Sequence, residues 1–235
     1  MKKYAIVFVI LTLSLLLAAC GSDGAQTSLT SATAAPAATE APAPTEEPAP
    51  APTEETAATE APAAEPAPAE AVTVEITVRD YGVIRLELDP AAAPATVANF
   101  VALAESGFYD GLTFHRIMDG FMIQGGDPTG TGYGGSEENI PGEFAANGFD
   151  NPISHVKGVI SMARAQDYNS ASSQFFITED DATFLDGLYA AFGRVTEGMD
   201  VVERIAGEAR PTDNNGSISP EDQPVMESVK ILPAP

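Results

Sequence analysis

Cysteine, histidine, tryptophan and positive charge are all scarce in this chain of 235 residues. It has one cysteine, two histidines and no tryptophan, and 34 acidic residues outnumber 11 lysines and arginines, which gives a formal net charge of −23. One cysteine and two histidines cannot build a Cys/His zinc site, and a lone cysteine excludes an internal disulfide. Phosphate contacts need clustered Lys and Arg. We therefore expect no metal, no cofactor and no nucleic-acid partner.

The single cysteine closes an apolar segment at the N-terminus. Residues 1–20 read MKKYAIVFVILTLSLLLAAC, with two lysines, an apolar run and small residues before Cys20. This layout is typical of a secretory signal, and it is too short to favour a membrane-spanning helix. The ending LAAC resembles a bacterial lipobox, which implies a signal peptide over residues 1–19 and acyl chains on Cys20. An uncleaved anchor, or cleavage before an unmodified cysteine, is the alternative.

Residues 21–71 contain almost nothing that could form a core. They repeat Ala, Pro, Thr and Glu, as in APAPTEEPAPAPTEETAATEAPAAEP, and Leu29 is their only large aliphatic residue. Such composition is typical of a disordered, partly extended tether, because it cannot bury enough apolar surface to fold. Together with Cys20, this segment is the predicted tether 20–71, which would hold a domain away from a bilayer.

Residues 72–235 have the length and the patterning of one folded domain. Eight strand-like runs are separated by clusters of Gly, Asn and Asp, beginning with the alternating VTVEITV and VIRLEL. Helical periodicity appears only in two short segments, which end near Gly107 and Gly207. These patterns favour an all-β fold, either a barrel or a sandwich. The two helices are short enough to cap barrel ends.

Two long motifs in this domain resemble the hallmark blocks of bacterial cyclophilins, the cyclosporin-binding peptidyl-prolyl isomerases. They are FHRIMDGFMIQGGDPTGTGYGG (114–135) and HVKGVISMARAQDYNSASSQFFIT (155–178), and the resemblance extends over residues 72–232, essentially the whole folded domain. The resemblance implies a closed eight-stranded antiparallel β-barrel capped by two α-helices, which agrees with the strand count. It also implies an active site in a shallow groove on the outside of the barrel.

The resemblance assigns site residues by motif position. It implies a catalytic arginine at Arg116, with Phe121 and Gln124 as the other residues of the catalytic group. The substrate-binding residues that it implies, in the proline pocket and along the peptide groove, are Met122, Ala163, Arg164, Gln174, Phe176, Phe184, Leu185 and Tyr189. Arg164 either contacts the substrate backbone or is a solvated cation.

Three positions depart from the common pattern of the family. Phe184 stands where tryptophan is frequent, Tyr189 where histidine is frequent, and Tyr168 where bacterial relatives commonly have proline. A phenyl ring cannot donate the hydrogen bond that an indole N–H can. We therefore expect cyclosporin binding to be weak, and we expect Tyr168 to affect substrate preference more than chemistry.

The scarcity of nucleophile–base groupings and metal clusters suits this reaction. Rotation about an X–Pro bond must break amide resonance, a barrier of about 18 to 20 kcal/mol, but no covalent bond has to break. The enzyme needs only to bind the twisted amide better than either planar isomer. A guanidinium such as that of Arg116 stays charged and offers several donors to the amide nitrogen as it becomes pyramidal.

The remaining polar and flexible features have simpler interpretations. His115 is expected to be a structural hydrogen-bonding histidine rather than an acid–base group, and His155 a loop residue. Gly125 and Gly126 lie in GGDPTGTG, which includes an aspartate and no lysine, so phosphate binding is disfavoured.

The leading hypothesis from the sequence is a monomeric, lipid-anchored peptidyl-prolyl cis-trans isomerase that assists the folding of exported proteins. Its partners would be proline-containing polypeptides and the bilayer that holds Cys20, either the outer face of the cytoplasmic membrane or the periplasmic side of an outer membrane. The alternatives are a proline-peptide binding module or surface scaffold with incidental catalysis, and a surface protein that binds small solutes. The solute-binding role usually needs a larger, two-lobed chain.

Overall fold

The computed structural model describes residues 70–233. The predicted signal peptide, the predicted lipidation site at Cys20 and almost all of the predicted tether lie outside the described residues. Within them, no helix has both the length and the apolar character needed to cross a membrane.

Eight strands and two α-helices form at the positions that the sequence patterns indicate. The strands are β1 (Val72–Val78), β2 (Gly82–Leu88), β3 (Thr113–Met118), β4 (Met122–Asp127), β5 (Val159–Met162), β6 (Phe175–Thr178), β7 (Ala191–Glu197) and β8 (Met226–Ile231). The helices are α1 (Pro94–Glu105) and α2 (Met199–Glu208). Three single 3-10 turns, at Ala145–Asn147, Thr183–Leu185 and Pro220–Asp222, interrupt the loops.

The strands form one antiparallel sheet that is curled but open, so the prediction of a closed barrel is wrong. The strand order is β3-β4-β6-β5-β7-β2-β1-β8, which leaves β3 and β8 at the two edges. The edges meet where β8 begins, at a bridge between Thr113 and Val225 with backbone hydrogen bonds on both sides of it, from Phe114 N–H to the Pro224 carbonyl and from Met226 N–H to the Leu112 carbonyl. Further along β3, the loop after α2 takes the place of a partner strand: Ile117 N–H donates to the Gly216 carbonyl and Ile218 N–H to the His115 carbonyl. Because this loop occupies the edge of β3, β8 cannot pair along it.

Alternation along the strands separates two hydrophobic clusters. The inner cluster fills the curl of the sheet and includes an aromatic group of Phe100, Tyr109, Phe114, Phe175 and Phe192, all fully buried. Helix α1 contributes Phe100 to it, and α2 contributes Val202 and Ile205.

The second hydrophobic group lies on the opposite face of β4 and β6. Met122 and Phe176 belong to it, whereas their neighbours Ile123 and Phe175 belong to the inner cluster, since successive strand residues point to opposite faces. We call this group the outer cluster; it consists of Met122, Phe176, Ala182 and Leu185, flanked by Met118, Phe121, Ala163 and Tyr189.

Candidate active site

Arg116 and Gln124 lie opposite each other on β3 and β4. Arg116 is paired with Gln124 in the register of the two strands, and its Nη1 donates to Gln124 Oε1 at 3.1 Å. Its Nε donates to the backbone carbonyl of Asn215 at 2.7 Å, and its Nη2 lies 3.2 Å from the sulfur of Met118. Partial burial lowers the pKa of the guanidinium, and the negative charge of Asp213 opposes this effect. The guanidinium therefore sits in a defined orientation at the edge of the outer cluster.

A relay of side-chain amides fixes the orientation of Gln124. Its Nε2 donates to Gln174 Oε1 at 2.9 Å, and Gln174 Nε2 donates in turn to the carbonyls of Gly134 (2.7 Å) and Gly132 (3.1 Å). With its amino group committed to Gln174, Gln124 presents its oxygen to Arg116.

A surface cavity of about 600 Å³ collects nearly all of the sequence-predicted site residues. Those that line it are Arg116, Phe121, Met122, Gln124, Ala163, Arg164, Phe176, Phe184, Leu185 and Tyr189. Gln174 lies outside it and lines an adjoining cavity of about 520 Å³, which shares Gln124, Ala163 and Arg164 with the first. The structure thus brings together residues that come from three strands and three loops.

The outer cluster forms the apolar side of this cavity. Met122 and Phe176 are buried in its floor, and Leu185 is buried beside them. Phe121 and Phe184 lie against each other with ring centroids 5.6 Å apart, and Phe184 remains 67% exposed. Tyr189 packs edge-on against Phe176 at 6.0 Å. Such a surface suits an apolar ring the size of pyrrolidine, with the charge of Arg116 at its edge.

Arg164 lines the cavity and also contacts aromatic rings and backbone carbonyls outside it. Its guanidinium carbon lies 4.7 to 5.2 Å from the ring centroids of Phe144, Tyr168 and Tyr189. Its N–H groups donate to the carbonyl of Leu188 at 2.9 and 3.0 Å and to that of Ala165 at 2.9 Å. Arg164 therefore ties the loop after β5 to the loop before β7, and the departures at Tyr168 and Tyr189 supply two of the rings around it.

Sequence reasoning missed one wall of the cavity. The residues that line it without having been predicted are Thr131, Gly132, Tyr133, Asp213, Asn215 and Ser217. They lie in irregular loops, where no periodicity marks a side chain as facing a site. The run DNNGS (213–217) did carry a signal, because Asp and Asn before Gly indicate a tight turn held by side-chain oxygens.

Neither histidine fits its sequence-based description completely. His155 lies in a loop, as expected, but it is fully buried: Nδ1 donates to Asp186 Oδ1 at 2.9 Å and Nε2 accepts from the Ser161 hydroxyl at 3.0 Å. Ser161 is fully buried too, so this chain of hydrogen bonds is structural. His115 is also buried, and among the described residues neither ring nitrogen has a hydrogen-bond partner, so its expected hydrogen-bonding role stays a prediction. Burial lowers its pKa and favours the neutral ring.

Between residues 70 and 233, no cluster of three or more His, Cys, Asp or Glu side chains could hold a metal ion. What the arrangement offers is an oriented guanidinium beside an apolar floor. This combination can hold an apolar group and direct hydrogen-bond donors at an atom next to it.

Comparisons with known proteins agree with this geometry. The family model described as "Cyclophilin type peptidyl-prolyl cis-trans isomerase/CLD" matches residues 73–233. Peptidyl-prolyl cis-trans isomerase-like 1 of Neurospora crassa is 46% identical over 164 residues, which are 69% of this chain and 91% of that protein. Peptidyl-prolyl cis-trans isomerase B of Bacillus subtilis is 45% identical over 129 residues, 55% of this chain and 87% of that protein.

A solved structure matches as well. It is a cyclophilin type peptidyl-prolyl cis-trans isomerase of Cryptosporidium parvum, crystallised in the presence of the dipeptide Ala-Pro. It is 31% identical, with a TM-score of 0.61, and the match covers 69% of this chain and 99% of that one. The sequence matches, the fold and the residues that line the cavity thus agree. The chain is a peptidyl-prolyl cis-trans isomerase that belongs to the cyclophilin family.

Proposed function

We propose that this isomerase accelerates X–Pro bond rotation in exported polypeptides outside the cytoplasmic membrane, where acylated Cys20 anchors it to a bilayer. The observation that carries the reaction is the Arg116 guanidinium, oriented by Asn215 and Gln124 at the edge of the apolar cavity floor. The location is supported by the lysines, apolar run and LAAC ending of residues 1–20.

The cavity would hold the substrate by its proline ring. Met122, Phe176 and Leu185 offer apolar contact to the pyrrolidine, and Phe121 closes one side. These contacts are the same for the cis and the trans isomer, so they bind substrate without favouring either one. In this arrangement the X–Pro bond would project toward Arg116 and would be free to turn.

Arg116 would then stabilise the twisted amide more than the planar one. As the C–N bond rotates, the nitrogen becomes pyramidal and regains a lone pair that can accept a hydrogen bond. Arg116 has five N–H donors; the bonds to Asn215 and Gln124 use two of them and the Met118 sulfur a third, so others remain for the substrate. Since this bond is strongest in the transition state, it raises the rate and not merely the affinity.

Short peptides with an Ala-Pro bond are the substrate class that we propose for the first test. The C. parvum relative was crystallised with that dipeptide. A protease-coupled assay on the chain that begins at Cys20 should show accelerated cis-to-trans conversion of an Ala-Pro reporter peptide. Binding of the peptide without acceleration would favour the alternative function, a proline-peptide binding module or scaffold.

The location is tested separately from the chemistry. Cys20→Ser should move the protein from the membrane fraction to the soluble fraction, because two or more acyl chains are needed for stable anchoring and this residue would carry them. A variant that still sediments with membranes through high-salt washes would contradict the lipid anchor. Separation of inner from outer membranes, where both exist, would decide which bilayer holds the wild type.

A further inference from the structure

The shortest hydrogen bond that Arg116 donates goes to a loop outside the family motifs. Its Nε donates to the Asn215 carbonyl at 2.7 Å, shorter than the 3.1 Å bond of its Nη1 to Gln124. Asn215 lies 99 residues away in sequence, between α2 and β8. This carbonyl therefore holds the Nε side of the guanidinium, while Gln124 holds Nη1.

The side chain of Asp213 holds the outer part of the turn that carries this carbonyl. Its Oδ1 accepts the backbone N–H groups of Asn215 (2.9 Å) and Ser217 (3.0 Å), and its Oδ2 accepts the Ser217 hydroxyl at 2.8 Å. These bonds lower the pKa of the carboxyl group, so it is ionised at neutral pH. Thr212 closes the base of the turn, since its N–H and its hydroxyl donate to the Ser217 carbonyl at 2.8 and 3.0 Å. Residues 213–215 are exposed, so the position of Asn215 depends on the Asp213 carboxylate more than on apolar packing.

Contacts with β3 also hold the turn on its other side, which limits how the turn can move. Gly216 has φ +87°, and its carbonyl accepts Ile117 N–H at 2.8 Å. A Cβ atom at Gly216 would lie 2.6 Å from the Ile117 carbonyl oxygen. With the β3 side held by the backbone, loss of the Asp213 bonds would free the outer part of the turn, where Asn215 lies.

We propose that Asp213 is a positioning residue for the isomerase reaction: its carboxylate folds the 213–217 turn so that the Asn215 carbonyl holds Arg116 in its catalytic direction. This inference rests on the proposed role of Arg116. Asp213 itself does not contact the reacting amide in this proposal. Its effect should therefore appear in kcat, through Arg116, and much less in KM.

Three variants separate hydrogen bonding from charge and from turn stability in general. Asp213→Ala removes the acceptor and the charge, whereas Asp213→Asn removes the charge but keeps an oxygen that can accept both N–H groups. Asp89→Ala is the matched control, because Asp89 Oδ1 also accepts two backbone N–H groups, those of Ala91 and Ala92, and does not line the cavity.

In the chain that begins at Cys20, we expect Asp213→Ala to lower kcat at least fivefold while KM changes less than twofold. Asp213→Asn and Asp89→Ala should keep kcat within twofold of wild type. In an Arg116→Ala background, Asp213→Ala should have no further effect, since both changes act through one group. A kcat within twofold for Asp213→Ala, or a loss of equal size without Arg116, would overturn the proposal.

A second measurement does not depend on activity. The Arg116 Nε–H resonance, assigned by its disappearance in Arg116→Ala, should exchange slowly with solvent in wild type and in Asp213→Asn and rapidly in Asp213→Ala. An unchanged exchange rate in Asp213→Ala would overturn the positioning role. If the wild type proved inactive on every Ala-Pro peptide while this exchange pattern held, the proposed function would fail and the positioning of Arg116 would stand.

Discussion

Strands β4 and β6 present two apolar faces that serve different purposes. On the inner face, Phe175 packs edge-on against Phe114 and Tyr109 at 6.2 and 5.6 Å in a sealed core. On the outer face, Phe176 belongs to a cluster that opens into a cavity and has Arg116 at its edge. The inner face stabilises the fold, whereas the outer face leaves an apolar surface for a ligand to cover. Adjacent residues of one strand can therefore be tested against each other.

The largest expected effect is a difference in the free energy of unfolding between the alanine variants of Phe175 and Phe176. Phe175→Ala should lower the free energy of unfolding by about 3 to 5 kcal/mol, because it leaves a void inside a close-packed core. Phe176→Ala should cost less stability, since its void joins an open cavity, but it should lower kcat/KM more per unit of stability lost. Urea denaturation and the coupled assay on both variants measure this, and Phe175→Leu substitutes if Phe175→Ala does not fold. Equal losses of stability for the two alanine variants would contradict the distinction between a structural inner face and a ligand-binding outer face.

Arg116 tests the charged edge of the outer face. Arg116→Ala should lower kcat/KM by about tenfold to a hundredfold, or about 1.4 to 2.7 kcal/mol, the size expected for one charge-assisted transition-state donor. Arg116→Lys keeps the charge but loses the planar fork, and should stay well below wild type. Arg194→Ala is the matched control, because Arg194 is an exposed arginine paired with Glu87 away from the cavity. A wild-type rate for Arg116→Ala would refute the mechanism.

A substitution at Phe184 tests the exposed rim of the outer face, where it should change the free energy of unfolding only slightly. Phe184→Trp should raise the affinity for cyclosporin by about twofold to tenfold, the value of one net hydrogen bond of about 0.5 to 1.5 kcal/mol, and leave peptide isomerisation almost unchanged. Titration calorimetry with the drug measures the change. Val156→Trp, at an exposed position outside the cavity, should have no effect. Equal affinities for wild type and Phe184→Trp would remove the idea.

The smallest expected effect is the contribution of the two buried histidines to the pH dependence of the free energy of unfolding. Burial lowers the pKa of both His115 and His155, and the carboxylates of Asp127 and Asp186 oppose this effect. The unfolded chain therefore takes up more protons than the folded one once the pH falls below about 6.5, so the free energy of unfolding should decrease from there toward lower pH. Urea midpoints at pH 7.5 and 5.5 measure the slope. His115→Gln should reduce it, and an unchanged slope would show that His115 takes up its proton equally in the folded and the unfolded state.

The sequence was sufficient for the elements of the fold and for most of the cavity. Strict alternation in VTVEITV predicted β1 without error, and helical periodicity placed α1 and α2. For QFFIT, alternation is hidden because both faces of β6 are apolar, so no sequence pattern could say that Phe175 faces the core and Phe176 the cavity. Only the family motif made that distinction, by placing Phe176 in the proline pocket.

The sequence could not show what depends on contacts between distant segments. Closure of the sheet was predicted from the strand count and the family resemblance, but whether β8 or a loop pairs with β3 depends on where the loop after α2 runs. Arg164 was described as a substrate contact or a solvated cation because the rings that surround it come from three separate loops. The signal in DNNGS indicated a turn but not that its carbonyl would meet Arg116.

The loop that pairs with the edge of β3 also has a consequence for association between molecules. An unpaired edge strand is a template on which another chain can add a strand, and such addition leads to aggregation. Here the N–H of Ile117 and the carbonyl of His115 are already occupied by Gly216 and Ile218. The segment that orients Arg116 thus also blocks β-strand addition at this edge. Substitutions that loosen it should be screened for self-association as well as for lost activity.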